Sequence, residues 1–156
     1  MPMNFEEPTD DELEHLRTMP KRVANSKAQW KDKPGHRQRN FLLDGDDYRF
    51  EIYMRQNVND TKDFSCGLDV IKPDGTKLTL CRYNGSSHKH GKIRFRCHIH
   101  KATNDAIRLG WKPESHADET NRYRTLDGAL YCLVNDCSVS GLNNLNPDEP
   151  DMFENL

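Results

Sequence analysis

Histidines and arginines are concentrated in one short stretch near the middle of the chain, RYNGSSHKHGKIRFRCHIHKAT, at positions 82–103. Four of the seven histidines of the protein fall in it, as two His-x-His pairs: His88 with His90, and His98 with His100. Imidazole titrates close to neutral pH, so it can take up or release a proton in the cell, and it also ligates transition metals. The spacing therefore marks this stretch as the candidate functional site.

A period of two runs through the end of the stretch and predicts a β-strand, on which successive side chains point to opposite faces. The apolar set, predicted to face the core, is Ile93, Phe95, Cys97 and Ile99. The polar set, predicted to stand together over open solvent, is Arg94, Arg96, His98 and His100. His88 and His90 lie one turn earlier, so all four imidazoles converge if this turn folds back over the strand.

Three uses fit such a cluster. The first is metal-independent cleavage of RNA, in which one imidazole takes the proton of the 2′-hydroxyl and another protonates the leaving oxygen. The second is a metal site built from neutral imidazoles. The third is a solvated sheet face without chemistry. For RNA cleavage, the candidate catalytic residues are His88, His98 and His100. The candidate substrate-binding residues, which hold the phosphate and offset its charge, are Arg82, Arg94, Arg96 and His90.

Acid–base use is favoured over a metal because carboxylates are missing from the cluster. The sequence has no Asp or Glu between Asp74 and Asp105, and metal sites for phosphate chemistry normally recruit carboxylates. The acids that would have to approach in space are Asp105, Glu114, Asp118 and Glu119. The sequence therefore predicts no metal and no other cofactor.

The segments around the cluster predict an antiparallel sheet. Apolar residues alternate with polar ones in YRFEIYM (48–54) and in FSCGLDV (64–70), and the turn sequence PDG (73–75) is followed by Leu78 and Leu80 in the same pattern. FLLDG, which precedes these segments, is expected to add an edge strand. Short strands with close turns are typical of antiparallel sheets.

Helices are predicted on both sides of this series. Thr9 or Asp10 can cap a short helix, with Glu12 completing a capping box. A second helix is expected from Lys21 to Trp30, followed by a loop over KDKPGHRQRN. In TLDGALYCLVNDC, apolar residues recur at three- and four-residue spacing after the candidate N-cap Thr125.

The resulting fold prediction is α+β: a single domain with a curved antiparallel sheet of about four to five strands and helices packed on one face. The domain is expected to span residues 9–142, between a disordered acidic N-terminus (1–8) and a disordered acidic tail (143–156).

Composition agrees with a globular chain outside the membrane. Of the 156 residues, 34% are hydrophobic and 31% are charged, and there is neither a long apolar run nor a secretory signal. Five cysteines without a C-x-x-C motif predict reduced core thiols and a cytoplasmic protein. The net charge of −2 conceals basic stretches at 17–39 and 77–108 between acidic ends, a pattern that suits a polyanion-binding surface.

The same residues carry a resemblance to a known family. The order resembles that of small bacterial proteins similar to the TumE-type toxins of toxin–antitoxin modules, over about residues 40–137. The matching positions are Leu80, Arg82, Tyr83, Asn84, Gly85, His88, His98, Ile99 and His100. The resemblance implies a small cytoplasmic protein that acts on RNA and is held by a cognate antitoxin.

The functional hypothesis is thus a toxin-like endoribonuclease that uses the histidine and arginine cluster. Two alternatives stay open: a non-catalytic module that binds nucleic acid or protein through a basic sheet face, and a metal-binding enzyme that uses the same histidines. Salt-dependent RNA binding without cleavage would favour the module. Cleavage that survives a chelator would favour the metal-independent enzyme.

Overall fold

One large sheet dominates the computed structural model, which describes residues 3–87 and 96–148. Three helices accompany it: α1 (Asp10–Thr18), α2 (Asn104–Arg108) and α3 (Leu126–Asp136). The nine strands are β1 (Lys21–Val23), β2 (Lys31–Lys33), β3 (His36–Gly45), β4 (Tyr48–Asn57), β5 (Phe64–Ile71), β6 (Lys77–Asn84), β7 (His98–Lys101), β8 (His116–Glu119) and β9 (Val139–Ser140).

The strands follow one another in space as β8-β7-β6-β5-β4-β3-β1-β9, and β2 pairs with β3 off this path. The pairing of β1 with β9 is parallel, and the other described pairs are antiparallel. The α+β class is therefore confirmed, but the sheet is mixed and has nine strands rather than the four to five expected.

The alternating segments form strands as predicted. In β4, Phe50, Ile52 and Met54 are buried, and their neighbours in sequence are more exposed. The same face of β5 carries Phe64 and Cys66, which are also buried. Burial of this apolar face drives the sheet to pack against other elements, since each fully buried large side chain contributes roughly 1.5–3 kcal/mol.

Both predicted helix caps are present. The Thr9 hydroxyl accepts from the Glu12 amide, and the Glu12 carboxylate accepts from the Thr9 amide, which completes the capping box of α1. Thr125 caps α3 in the same way, through the amide of Gly128. Leu13 and Leu16 of α1 are fully buried in the core. That all helices pack on one face of a curved sheet stays a prediction.

Three local predictions are wrong. Lys21 to Trp30 is not helical but begins with β1, which is held between β3 and β9. The expected loop at residues 31–40 contains β2 and the first half of β3, and FLLDG is the end of the interior strand β3 rather than an edge strand. In each case pairing with another strand overrides the weak local signal.

The ends of the described chain contact the folded part. Met3 and Phe5 pack against the core, and the Phe5 ring meets that of Tyr48 edge-on, with 6.1 Å between centroids. Near the other end, Asp148 accepts hydrogen bonds from the amides of Arg124 and Thr125. Residues 1, 2 and 149–156 lie outside the described residues, and the expected domain boundaries stay a prediction.

All five cysteines are free and buried, so their predicted place in the core is confirmed, and their reduced state stays a prediction. Among the described residues, no helix has the length and apolar character needed to cross a membrane.

A buried lysine on β1 joins the C-terminal ends of two helices on the core side of the molecule. Lys21 is 2% exposed, and its ammonium donates to the carbonyls of Arg17 (2.9 Å), Met19 (2.8 Å) and Cys137 (3.0 Å). These carbonyls lie at the C-terminal ends of α1 and α3, where unpaired acceptors and the helix dipole favour a cation. Burial lowers the pKa of Lys21 to about 8.

We expect Lys21→Met to destabilise the fold by about 3 kcal/mol, because three buried carbonyls lose their donor. Urea denaturation at pH 7 measures the loss. Arg22→Met, a change at an exposed position on the same strand, is the matched control and should stay within about 0.5 kcal/mol of the wild type. Equal effects of the two substitutions would show that the ammonium does not hold the helix ends.

We further expect the free energy of unfolding to fall as the pH rises from 9 to 11. Burial raises the pKa of Cys97 to about 11 and also raises the pKa values of Cys66, Tyr83 and Tyr123, so the unfolded chain loses these protons first. Lys21 and Cys137 act in the opposite direction, since their pKa values are lowered, but they are outnumbered by the groups whose pKa values are raised. Denaturation at pH 8 and pH 10.5 under reducing conditions tests this, and equal or higher stability at pH 10.5 would contradict it.

Candidate functional site

The pairing of β6 with β7 places the central residues of the candidate site. Arg82 lies opposite His100, and Asn84 lies opposite His98. Residues directly opposite each other on antiparallel strands share a face of the sheet. The rings of His98 and His100 therefore stand on one face, with 4.9 Å between their centroids, which confirms their predicted side-by-side placement. Ile99 packs against the core on the other face.

The expectation that these rings stand over open solvent is wrong. His98 is 1% exposed and His100 is 2% exposed. Two features account for the burial: β8 pairs with the outer side of β7, and the segment that leads into β8 brings the backbone of Glu114 onto the His100 ring. The buried location is polar, because each ring contacts a main-chain carbonyl.

Each imidazole is oriented by one hydrogen bond from its Nδ1 atom. His98 Nδ1 lies 3.1 Å from the carbonyl oxygen of Arg96, and His100 Nδ1 lies 2.8 Å from that of Glu114. A carbonyl oxygen only accepts, so Nδ1 carries the hydrogen in both rings. In the neutral ring the lone pair is then on Nε2.

Arg82 brings a cation to the imidazole pair. Its guanidinium Nη1 lies 3.4 Å from the carboxylate of Glu114, whose side chain is 4% exposed, and the ammonium of Lys112 lies 3.4 Å from the same carboxylate. Among the described residues, Arg82 Nε is buried and has no hydrogen-bond partner. The site therefore combines two imidazoles, a buried carboxylate, and a guanidinium whose Nε–H has no acceptor among the described residues.

Two cross-strand rows extend the site over the polar face of the sheet. The first row is Tyr53, Gly67, Arg82, His100 and Ala117, and the second row is Arg55, Ser65, Asn84, His98 and Glu119. Neighbouring strands lie roughly 4.8 Å apart, so each row spans about 19 Å from β4 to β8. Within the second row, the Ser65 hydroxyl donates to Asn84 at 2.9 Å, and the Asn84 amide nitrogen lies 3.5 Å from His98 Nε2.

The ring of Tyr53 lies across Gly67 in the first row. A Cβ atom at position 67 would overlap the phenol end of this ring, so the glycine makes room for it. Burial raises the pKa of Tyr53, and Asp69 adds to the rise, whereas Arg82 opposes it. The neutral phenol thus belongs to the electrostatic surroundings of Arg82, a role that the sequence analysis did not assign.

The remaining predicted site residues are only partly described. Arg96 is exposed at the rim, where its Nη1 lies 3.2 Å from the carboxylate of Glu119. His88, His90 and Arg94, with Ile93 and Phe95, lie outside the described residues. Within residues 3–87 and 96–148, no group of three or more His, Cys, Asp or Glu side chains is arranged to hold a metal.

Comparisons of the chain with protein-family models, with curated proteins and with solved structures gave no match. The resemblance to TumE-type toxins therefore stays a prediction, and the function is argued from the site alone.

The contact between Tyr53 and Gly67 gives a test of the first row. We expect Gly67→Ala to cost about 1–2 kcal/mol of stability, because the new methyl group displaces the phenol ring. In a Tyr53→Ala background the same substitution should cost about 1 kcal/mol less, since nothing then fills the space above position 67. Urea denaturation of the four proteins in this cycle measures the coupling, and equal costs in both backgrounds would contradict the contact.

Proposed function

We propose that the protein is a toxin-like endoribonuclease that cleaves RNA by metal-independent acid–base chemistry. The observation that carries the proposal is the pair His98 and His100. Their rings lie side by side, and each Nδ1 bonds a main-chain carbonyl, so Nε2 is the proton-transfer atom of each ring in this proposal. Two oriented imidazoles are the minimum that general acid–base cleavage of a phosphodiester requires.

In the proposed reaction, one imidazole Nε2 removes the proton of a 2′-hydroxyl, whose oxygen attacks the adjacent phosphorus. The other imidazole, in its protonated form, donates a proton to the leaving 5′-oxygen. The products are a 2′,3′-cyclic phosphate and a 5′-hydroxyl, and the two protons balance. Arg82 offsets the charge that develops on the phosphate.

A substrate phosphate competes with Glu114 for Arg82 in this proposal. The distance of 3.4 Å between guanidinium and carboxylate is long for a charge-assisted hydrogen bond, so the pair is separable. Because His98 and His100 are almost fully buried, the phosphate reaches them only when a covering segment moves. The segment that carries Glu114 is the described candidate for this movement, since its carbonyl lies on the His100 ring.

The wider proposal keeps the residues that the sequence selects. His88 is a third candidate for proton transfer, and His90, Arg94 and Arg96 are candidates for binding the RNA backbone. The polar rows continue the site toward β4, where Arg55 is exposed and forms no ion pair within the described residues. We also propose a cytoplasmic location and a cognate antitoxin as partner, on the strength of the reduced thiols and the sequence resemblance.

One observation favours the non-catalytic alternative, in which the protein only binds RNA or another protein. The burial of both rings and their bonds to main-chain carbonyls also suit a purely structural polar network. Three cations of this face are paired with carboxylates, which argues against a basic docking face. The pairs are Lys77 with Glu51, Arg82 with Glu114 and Arg96 with Glu119. The experiment below separates the two functions.

We expect His98→Asn and His100→Asn each to lower cleavage of a labelled RNA at least about 100-fold in the presence of EDTA. The asparagine amide can replace the Nδ1 donor, so the bonds to Arg96 and Glu114 can persist while Nε2 is lost. His116→Asn is the matched control, because His116 is exposed on β8 and bonds only Asp118 among the described residues. Its cleavage rate should equal that of the wild type.

The other outcomes have separate meanings. Full activity of both asparagine variants, with thermal melts that show folded protein, would refute the catalytic role of the pair. RNA binding that weakens with salt, without cleavage in any variant, would support the binding module. Activity that EDTA removes and a divalent cation restores would support a metal enzyme.

A further inference from the structure

Two cysteine thiols meet on the core side of β6, away from the histidine pair. Cys81 lies on β6, Cys137 is the C-cap residue of α3, and their Sγ atoms are 3.8 Å apart. Both line a cavity of about 290 Å³ that also borders α1. The two sulfurs are in van der Waals contact and both residues are buried, with Cys81 0% and Cys137 2% exposed, so the cavity they border is the described route by which a small molecule approaches them.

Cations surround this cavity. Arg17 of α1, Lys101 of β7 and Arg122 line it, and the Lys21 ammonium bonds the carbonyl of Cys137 at 3.0 Å. The lining acids are Glu14, paired with Arg17, and Asp136, paired with Arg122. Both carboxylates are thus neutralised by partners, so the electrostatic surroundings favour a thiolate.

Cys137 differs from the other cysteines of the chain, including Cys81, whose pKa is raised. Burial raises the pKa values of Cys66, Cys97 and Cys132, and those thiols pack in the core or beside main-chain groups. For Cys137 the direction is reversed: the hydrogen bond with Cys81 lowers its pKa, and Lys21 contributes in the same sense. An acidified thiol beside a second thiol is the arrangement of an attacking and a resolving cysteine.

We propose that Cys81 and Cys137 form a redox modification site, which a hydroperoxide oxidises to an intramolecular disulfide. The proposal rests on the contact of the two sulfurs and on the cavity that reaches them, and it does not depend on the ribonuclease activity.

The reaction balances in two steps. The Cys137 thiolate attacks one oxygen of the hydroperoxide, the O–O bond breaks, and the leaving oxygen takes a proton to give water or an alcohol. The Cys81 thiol then attacks the sulfenic acid at Cys137, the S–O bond breaks, and the hydroxyl leaves as water with the thiol proton. Two thiols are oxidised, and one hydroperoxide is reduced.

The geometry requires a modest change. The sulfurs must approach by about 1.7 Å to reach a disulfide bond length. The bond would join β6 to the end of α3 across 56 positions of sequence, a loop that contains His98 and His100. A crosslink of this length restricts the unfolded chain strongly, so we expect the melting temperature to rise by about 5–10 °C on oxidation.

The test treats the reduced full-length protein with hydrogen peroxide at near-equimolar concentration, followed by alkylation and intact-mass analysis. We expect a mass lower by two hydrogen atoms and a peptide map without reductant that links Cys81 with Cys137. Cys81→Ser and Cys137→Ser should each abolish the crosslink and the rise in melting temperature. Cys132→Ser, a change at another buried cysteine of α3, is the matched control and should retain both.

A peptide map of the oxidised wild type with a different pair linked would overturn the proposal. So would Cys81 and Cys137 that stay fully alkylatable while other cysteines oxidise. The wild-type map decides the question even if a serine variant fails to fold.

Discussion

The register between β6 and β7 is the constraint on which the site depends. It sets Arg82 beside His100 and Asn84 beside His98, and the neighbouring registers continue both rows toward Tyr53 and Arg55. A slip of one residue would exchange the two faces of β7. The imidazoles would then enter the apolar core, and Ile99 would face the polar side. Backbone pairing, rather than any one side chain, therefore holds the polar rows together.

Main-chain carbonyls position the ionisable groups on both faces of the sheet. On the polar face they orient His98 and His100 through Nδ1. On the core side they accept from the Lys21 ammonium, and the guanidinium of Arg17 donates to the carbonyls of Leu80 and Ala102 at 3.2 and 3.1 Å. A buried cation is tolerated when acceptors replace its lost hydration, and a helix end supplies several. In both the core and the candidate site, hydrogen bonds to main-chain carbonyls thus hold the ionisable side chains in place.

Sequence patterns predicted the parts of the fold that depend on residues close together in the chain. The alternation in β4 and β5 reflects one buried face, and the caps at Thr9 and Thr125 satisfy amides within the next turn. The sequence did not reveal β1, β2, β8 and β9, which have two to four residues each and depend on pairing with other strands. Such short segments carry too little periodicity to indicate a strand.

The candidate site was likewise predicted only in part from the sequence. The period of two placed His98 and His100 on one face without any knowledge of the fold. Their burial depends on Glu114, which meets His100 from 14 positions later, and no pattern near the histidines indicates that contact. The position of Tyr53 over Gly67 likewise depends on register between strands. Pairs that only tertiary structure brings together, such as Cys81 with Cys137, are not readable from spacing.

The ends of the sheet limit how another chain can bind. The outermost strands of the described path are β8 and β9, which are four and two residues long, and β2, which pairs only with β3, has three residues. The residues of β8 include His116, Asp118 and Glu119, so its free edge is polar and charged. Recognition by strand addition needs a longer run of unpaired amides and carbonyls than these edges provide. Among the described strands, edge-to-edge pairing with another chain is therefore disfavoured.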